Sequence, residues 1–254
     1  MASLSSFSPS SVTTKRADLR SGWTVLPHGE LQPLAENLWW TWGSASRGRL
    51  SRGSLRRAMV VARRSDDRLV IHDPIALGEA QMDALATLGK PAYIIVPAAP
   101  PHRDASAWKD RFPKAQVIAP RGVLAAVRKV LEVDGIYEDV PVDGAVRFEM
   151  LRGVGDAIGA MLVRSADGIS IVLNGGRVRE DRRRPFGLVS SIFGPRTRLG
   201  RLAKLFLVRN KRALREDLER WAEEPDLVRL IVTHERIARG PAATQTLRDA
   251  AANL

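Results

Sequence analysis

Residues 70–102 read VIHDPIALGEAQMDALATLGKPAYIIVPAAPPH, and three elements follow from them in order. Leu69–His72 is the apolar end of a strand. Glu79–Leu88 places Met82, Leu85 and Leu88 at helical spacing, and Gly89 follows its last turn as a helix-ending glycine does. Ala92–Val96 (AYIIV) is an uninterrupted apolar run that reads as a buried strand. It opens into a loop holding His102 and Asp104.

Working upstream, Ala58–Ala62 and Leu69–His72 form a hairpin about Ser65-Asp66-Asp67. Leu34–Trp42 reads as one short aromatic strand, and residues 47–57 as a basic connection. Trp39, Trp40 and Trp42 can pack the core and its rim or form a base-stacking platform; packing is the more economical reading. Residues 1–22 are Ser/Thr-rich with few large apolar side chains and are expected to be a disordered tail. The expected compartment is the cytoplasm, with organellar targeting by this N-terminus as the alternative.

Downstream, Ser106–Phe112 is a short helix stopped by Pro113, and Gln116–Ala119 is a strand. Val123, Leu124, Val127, Val130 and Leu131 stripe one face of a further helix. Ala145–Leu151, Ala160–Arg164 and Ile169–Leu173 are strands, the last two joined at Ala166-Asp167-Gly168. A Gly- and Arg-rich excursion follows, then a helix marked by Leu214, Leu218 and Trp221, a strand at Leu227–Val232 and a terminal helix over Ala242–Ala252. Residues 23–254 therefore read as a single α/β (α+β) domain with a basic excursion at about 177–220.

Composition narrows the chemistry. The chain has 254 residues and no cysteine, so disulfides, Cys-ligated zinc, iron–sulfur clusters and thiol catalysis are excluded. No apolar run reaches the roughly 18 residues of a membrane span. The net charge of +12 is concentrated in two segments: residues 1–64 carry 10 Lys and Arg against 3 acids, and residues 177–220 carry 14 against 5. Such segments suit an anionic partner or form a solvated basic surface. There is no Gly-x-Ser-x-Gly elbow, no His-Glu-x-x-His helix, no P-loop and no dinucleotide-binding glycine loop.

The order of elements from residue 34 to 245 resembles the metallo-β-lactamase superfamily, in a poorly characterised branch of it. The resemblance rests on AMVVARRSDDRLVIHDP, IIVPAAPPHRDASAW, FPKAQVIAP, GVGDAIGAMLV, SIVLNGG and LIVTHERIARGPA in succession. It implies an αββα sandwich, two mixed sheets with outer helices, and a dinuclear metal cleft at the strand ends.

Carried over residue by residue, the resemblance puts Ala98 and Pro100 where the family's first two histidines belong, and His102 and Arg103 near the aspartate and the histidine that follow. A gap of one or two residues would move His102 or Asp104 into a ligand place. Asp156 stands in the turn where the family has its next histidine, and Asn174 is the polar residue nearest the bridging aspartate. His234 matches the last histidine. The dinuclear set is thus largely missing.

The departures from the family pattern point to a degenerate site and no cofactor, with the cleft binding an anionic small molecule through Arg103 and Asn174 and with Arg177 and Arg179 at its rim. An alternative is a hydrolase of esters, lactones or phosphoesters using one Zn, Fe or Mn ion held by His102, Asp104, Asp156 and His234. A third reading is a nucleic-acid or anionic-membrane binder using residues 177–220, where LGRLAKLFLV suits an amphipathic basic helix. The plain readings stand beside these: Asp104 as the N-cap of the helix it precedes, and Asp156 and His72-Asp73-Pro74 as turns.

Overall fold

A computed structural model describes residues 22–44, 56–98, 103–174, 208–233 and 236–254, with only the backbone of Arg56, Arg103 and Arg236. The expected tail over 1–21 and most of the basic excursion (175–207) lie outside these residues.

Twelve strands among the described residues divide into two mixed sheets. The first holds β1 (Gln32–Ala35), β2 (Leu38–Ser44), β3 (Arg56–Arg63), β4 (Arg68–His72), β5 (Lys90–Ile95), β6 (Gln116–Ala119) and β7 (Gly135–Ile136), side by side in chain order. The second runs β12-β11-β10-β9-β8, with β8 at Val146–Met150, β9 at Gly159–Ser165, β10 at Gly168–Asn174, β11 at Leu227–Thr233 and β12 at Arg236–Arg239. Pairs from β4 to β7 are parallel, as is β10 with β11; the others are antiparallel.

Side-chain alternation builds the layers. On β3, Met59 and Val61 face one core and Val60 and Ala62 face another, as a two-residue period requires. Val60, Val70, Ile95, Ile118, Met161, Val172 and Ile231 fill the space between the sheets. The outer face of the first sheet packs against α1 (Glu79–Leu88), α2 (Arg103–Arg111) and α3 (Leu124–Val127) through Met82, Leu85, Trp108 and Val127. The second sheet packs against α4 (Lys211–Ala222) and α5 (Pro241–Ala252) through Leu214, Leu218, Trp221, Ala243 and Leu247. Two sheets between two helical layers make an αββα sandwich.

Most expected elements form where the sequence places them. Gly89 has φ +149°, and a Cβ there would run into the Asp67 carbonyl, so the chain turns from α1 into β5 on a residue without a side chain. Two elements differ. The expected strand Leu34–Trp42 is a hairpin, β1 and β2, turning at Glu36-Asn37. Its turn is fixed from across the sandwich: Asn37 Nδ2 donates to the Arg164 carbonyl at 2.9 Å, and Ser165 Oγ donates to Asn37 Oδ1 at 2.6 Å. The expected helix over 123–131 is a 3-10 turn at Arg121–Val123 followed by the four residues of α3. Asp134 ends it by pairing with β6: its N–H donates to the Val117 carbonyl, and its carboxylate accepts the Val117 N–H at 2.7 Å. Val130 is consequently 58% exposed.

Candidate functional site

Strands β4, β5, β10 and β11 all finish at one end of the sandwich. The two-residue period sends His72, Asn174 and Thr233 inward there, in phase with Val70, Val172 and Ile231. His72 is fully buried, Thr233 nearly so, and Asn174 and Thr233 are register partners on adjacent parallel strands. Asp73, also buried, takes φ +56° and turns the chain sharply out of β4, as its sequence reading as a turn expects. Its N–H continues the parallel ladder to the Ile95 carbonyl at 3.0 Å.

The loop that follows is held group by group. The Pro74 carbonyl accepts Arg57 Nη1 at 3.2 Å, the Ile75 carbonyl accepts Trp108 Nε1 at 2.9 Å, and the Leu77 carbonyl accepts Trp23 Nε1 at 2.9 Å. The Ala76 N–H donates to Asp104 Oδ2 at 3.2 Å and the Gly78 N–H to His28 Nε2 at 2.9 Å. His28 therefore accepts at Nε2, so its Nδ1 carries the proton given to the Gly29 carbonyl. Five side chains from the N-terminal segment, β3 and α2 thus fix the wall leading out of β4.

Tyr137 closes the same end from the sheet edge. It follows β7, meets Phe148 edge-on at 5.0 Å, and its ring occupies the place that a side chain on Gly159 would need. Burial, and then the negative charge of Asp73, push its hydroxyl far above the usual tyrosine range, so it stays protonated.

The expected site residues separate clearly. Asp104 lies within the first turn of α2 rather than capping it, and its carboxylate pairs with the Arg57 guanidinium; the two side chains are 13% and 4% exposed. Asp156 is exposed at φ +56° in the turn between β8 and β9, and its carbonyl accepts the Gly122 N–H at 2.8 Å, the turn role rather than an inward one. Asn174 sits at the inward strand end described above. His102, Arg177, Arg179 and His234 lie outside the described residues, as does the Arg103 side chain. Arg57 and Tyr137 are additions that sequence reasoning did not single out. Thr233 carried a usable signal, a polar residue in phase with the buried positions of its strand. Arg57 and Tyr137 carried none, because their partners are distant in the chain.

No protein-family model matches this sequence, and no curated protein does. The fold does match solved structures. A DIM-1 metallo-β-lactamase exposed to ceftazidime superposes with a TM-score of 0.56 at 16% identity, covering 89% of this chain and 98% of that one. This chain has the metallo-β-lactamase fold. A metallo-β-lactamase from Erythrobacter litoralis gives 0.55 at 14% identity, covering 88% and 96%, and TMB-1 gives 0.55 at 12%, covering 88% and 97%. No helix among the described residues is long and apolar enough to cross a membrane.

The metallo-β-lactamase fold implies metal, and of the four candidate ligands only Asp104 and Asp156 are among the described residues. No three His, Asp or Glu side chains among them come together as ligands. Asp104, which a gap of one or two residues would move into a ligand place, accepts from a guanidinium and a backbone N–H, which leaves it poorly placed to serve a dication.

Proposed function

We propose that this metallo-β-lactamase-fold chain lacks the dinuclear site and acts as a binding or scaffold module for an anionic ligand. The ligand would lie at the end of the sandwich where β4, β5, β10 and β11 finish. Asn174 would line it, and Arg103, Arg177 and Arg179, which flank these strand ends in sequence, would supply positive charge. Guanidinium forks suit carboxylate and phosphate, which they bind bidentately.

The observation that carries this reading is the pairing of Asp104 with Arg57. A metal cleft needs carboxylates turned towards the ion. Here that carboxylate is spent on holding α2 to β3 and to the loop after β4.

The test is elemental analysis of protein purified without a metal-affinity tag, before and after incubation with zinc, iron and manganese. Calorimetric titration with small phosphates and carboxylates accompanies it. The expected result is no stoichiometric metal and saturable anion binding that weakens with salt. One equivalent of metal, lost in His234→Ala, would overturn the reading in favour of a mononuclear hydrolase.

A further inference from the structure

Residues 23–31 form a strap tied to the loop after β4 and to the start of α1 by three side-chain hydrogen bonds. Trp23 Nε1 donates to the Leu77 carbonyl at 2.9 Å, His28 Nε2 accepts the Gly78 N–H at 2.9 Å, and Gln81 Oε1 accepts the Leu31 N–H at 2.7 Å. An indole and a carboxamide do not titrate. An imidazole does, and it is the side chain whose charge ordinarily changes between pH 5 and 8.

Both ring nitrogens of His28 are committed. The Gly78 N–H can only donate, so Nε2 accepts, and the single ring proton sits on Nδ1 and goes to the Gly29 carbonyl at 2.8 Å. The same carbonyl accepts the Thr41 hydroxyl at 2.9 Å, and the Gly29 and Ser44 N–H groups donate to the Trp42 and Pro27 carbonyls, so the ring is anchored to β2 on one side and reaches Gly78 on the other. Gly78 is where α1 begins: its carbonyl accepts the Gln81 and Met82 N–H groups, and no side chain caps the helix. A second ring proton can go only to Nε2, where it sets one N–H against another. The charged groups around this contact are few among the described residues. β2 contributes no ionisable side chain, the strap has the exposed Glu30, and the loop has Asp73. On α1, Asp83 is exposed, and Glu79 is held by Arg111 of α2 through bonds of 2.8 and 2.7 Å. Arg57 and Asp104, which touch the loop at Pro74 and Ala76, pair with each other.

We propose that His28 is a pH-sensitive latch. With one ring proton it locks the strap to the first turn of α1; with two it lets go of Gly78, and the loop that forms the wall after β4 loosens with it. Latching uses the singly protonated ring, so the latch is closed at pH 8 and opens as the pH falls towards 5. It acts whether or not an anion binds at the strand ends.

The experiment is nuclear magnetic resonance on the full chain from pH 8 to 5. It reads the exchange protection of the Gly78 amide, corrected for the intrinsic pH dependence of exchange, beside the nitrogen shifts of the His28 ring. Protection of Gly78 is expected to fall about fivefold in step with ring protonation, one net hydrogen bond's worth. Asp73, whose N–H donates to the Ile95 carbonyl in the β4–β5 ladder, should keep its protection. His28→Gln offers Gly78 a carbonyl oxygen that does not titrate, so protection in that variant should stay level across the range. Level Gly78 protection in the wild type, a loss shared equally by Asp73, a ring proton on Nε2 at pH 8, or a ring that stays singly protonated down to pH 5 would each overturn the latch. A loss in His28→Gln equal to that in the wild type would do the same. The wild-type titration decides by itself if His28→Gln does not fold.

Discussion

The Arg57 guanidinium on β3 and the Asp104 carboxylate on α2 form a buried ion pair that crosses from the outer face of the first sheet to the helix above it. Both ends are also tied to the loop after β4, at Pro74 and Ala76. A residue that a short gap in the family pattern would place among the metal ligands is thus part of the scaffold.

Removing one partner leaves the other charge buried without compensation. Arg57→Leu is expected to cost about 3–5 kcal/mol in denaturant unfolding, and Asp104→Leu a similar amount. The double variant should recover much of the loss, because two apolar side chains of matching size replace both charges. A double-mutant cycle with no coupling would show that the two groups do not act as a pair.

Trp108 is fully buried, stacks on Phe112 at 5.4 Å, lies 5.5 Å from Trp23, and donates to the Ile75 carbonyl. Trp108→Ala is expected to destabilise by about 3–5 kcal/mol through the cavity alone. Trp108→Phe keeps much of the packing and loses the indole donor, so it should cost about 1–3 kcal/mol, the penalty for the stranded Ile75 carbonyl. Hydrogen exchange should then quicken first at Ala76 and Gly78, whose N–H groups belong to the same loop.

How far the sequence carried these conclusions depends on the reach of each interaction. The helix Glu79–Leu88 and the strand Gln116–Ala119 have the bounds their sequence expects, because apolar spacing, Gly89 and Pro113 are local signals. The hairpin at Glu36-Asn37 and the short α3 were not legible, because Ser165 and Val117 decide them from far along the chain. The site follows the same rule. Asp156 and Asp73 were readable as turns. Asp104 was read from a family pattern, and its partner Arg57, which settles what its carboxylate does, is 47 positions earlier.

Gly159 faces the Tyr137 ring so closely that no Cβ fits between them. Gly159→Ala must push the ring or bend β9, and is expected to cost about 1–3 kcal/mol as an overpacked core does. The Tyr137 near-ultraviolet circular dichroism signal should change with it. Gly159→Ala combined with Tyr137→Leu should cost less than the two single variants summed, since the shorter side chain leaves room. Additive losses would mean that the glycine is needed for some other reason.

Glu149 gives the fold a defined acid response. On β8 it accepts Arg220 Nη2 at 2.8 Å and Trp221 Nε1 at 2.9 Å, and Arg147 Nε at 3.1 Å, so it ties α4 to the second sheet. Burial by itself would raise its pKa, but the hydrogen bonds from Arg220 and Trp221 and the charge of Arg220 outweigh it and hold the carboxyl below the ordinary glutamate range. A depressed folded-state value means that the unfolded chain binds the proton more readily. The stabilisation from Glu149 is therefore complete above the unfolded glutamate pKa of about 4.3 and is lost as pH falls through the lower folded value. Glu149→Gln should lower stability at pH 7 while flattening the fall in acid, so that the two stability curves converge near pH 3. The check is urea unfolding followed by Trp221 fluorescence from pH 3 to 7; parallel curves across that range would mean that the carboxylate charge is not what holds α4 in place.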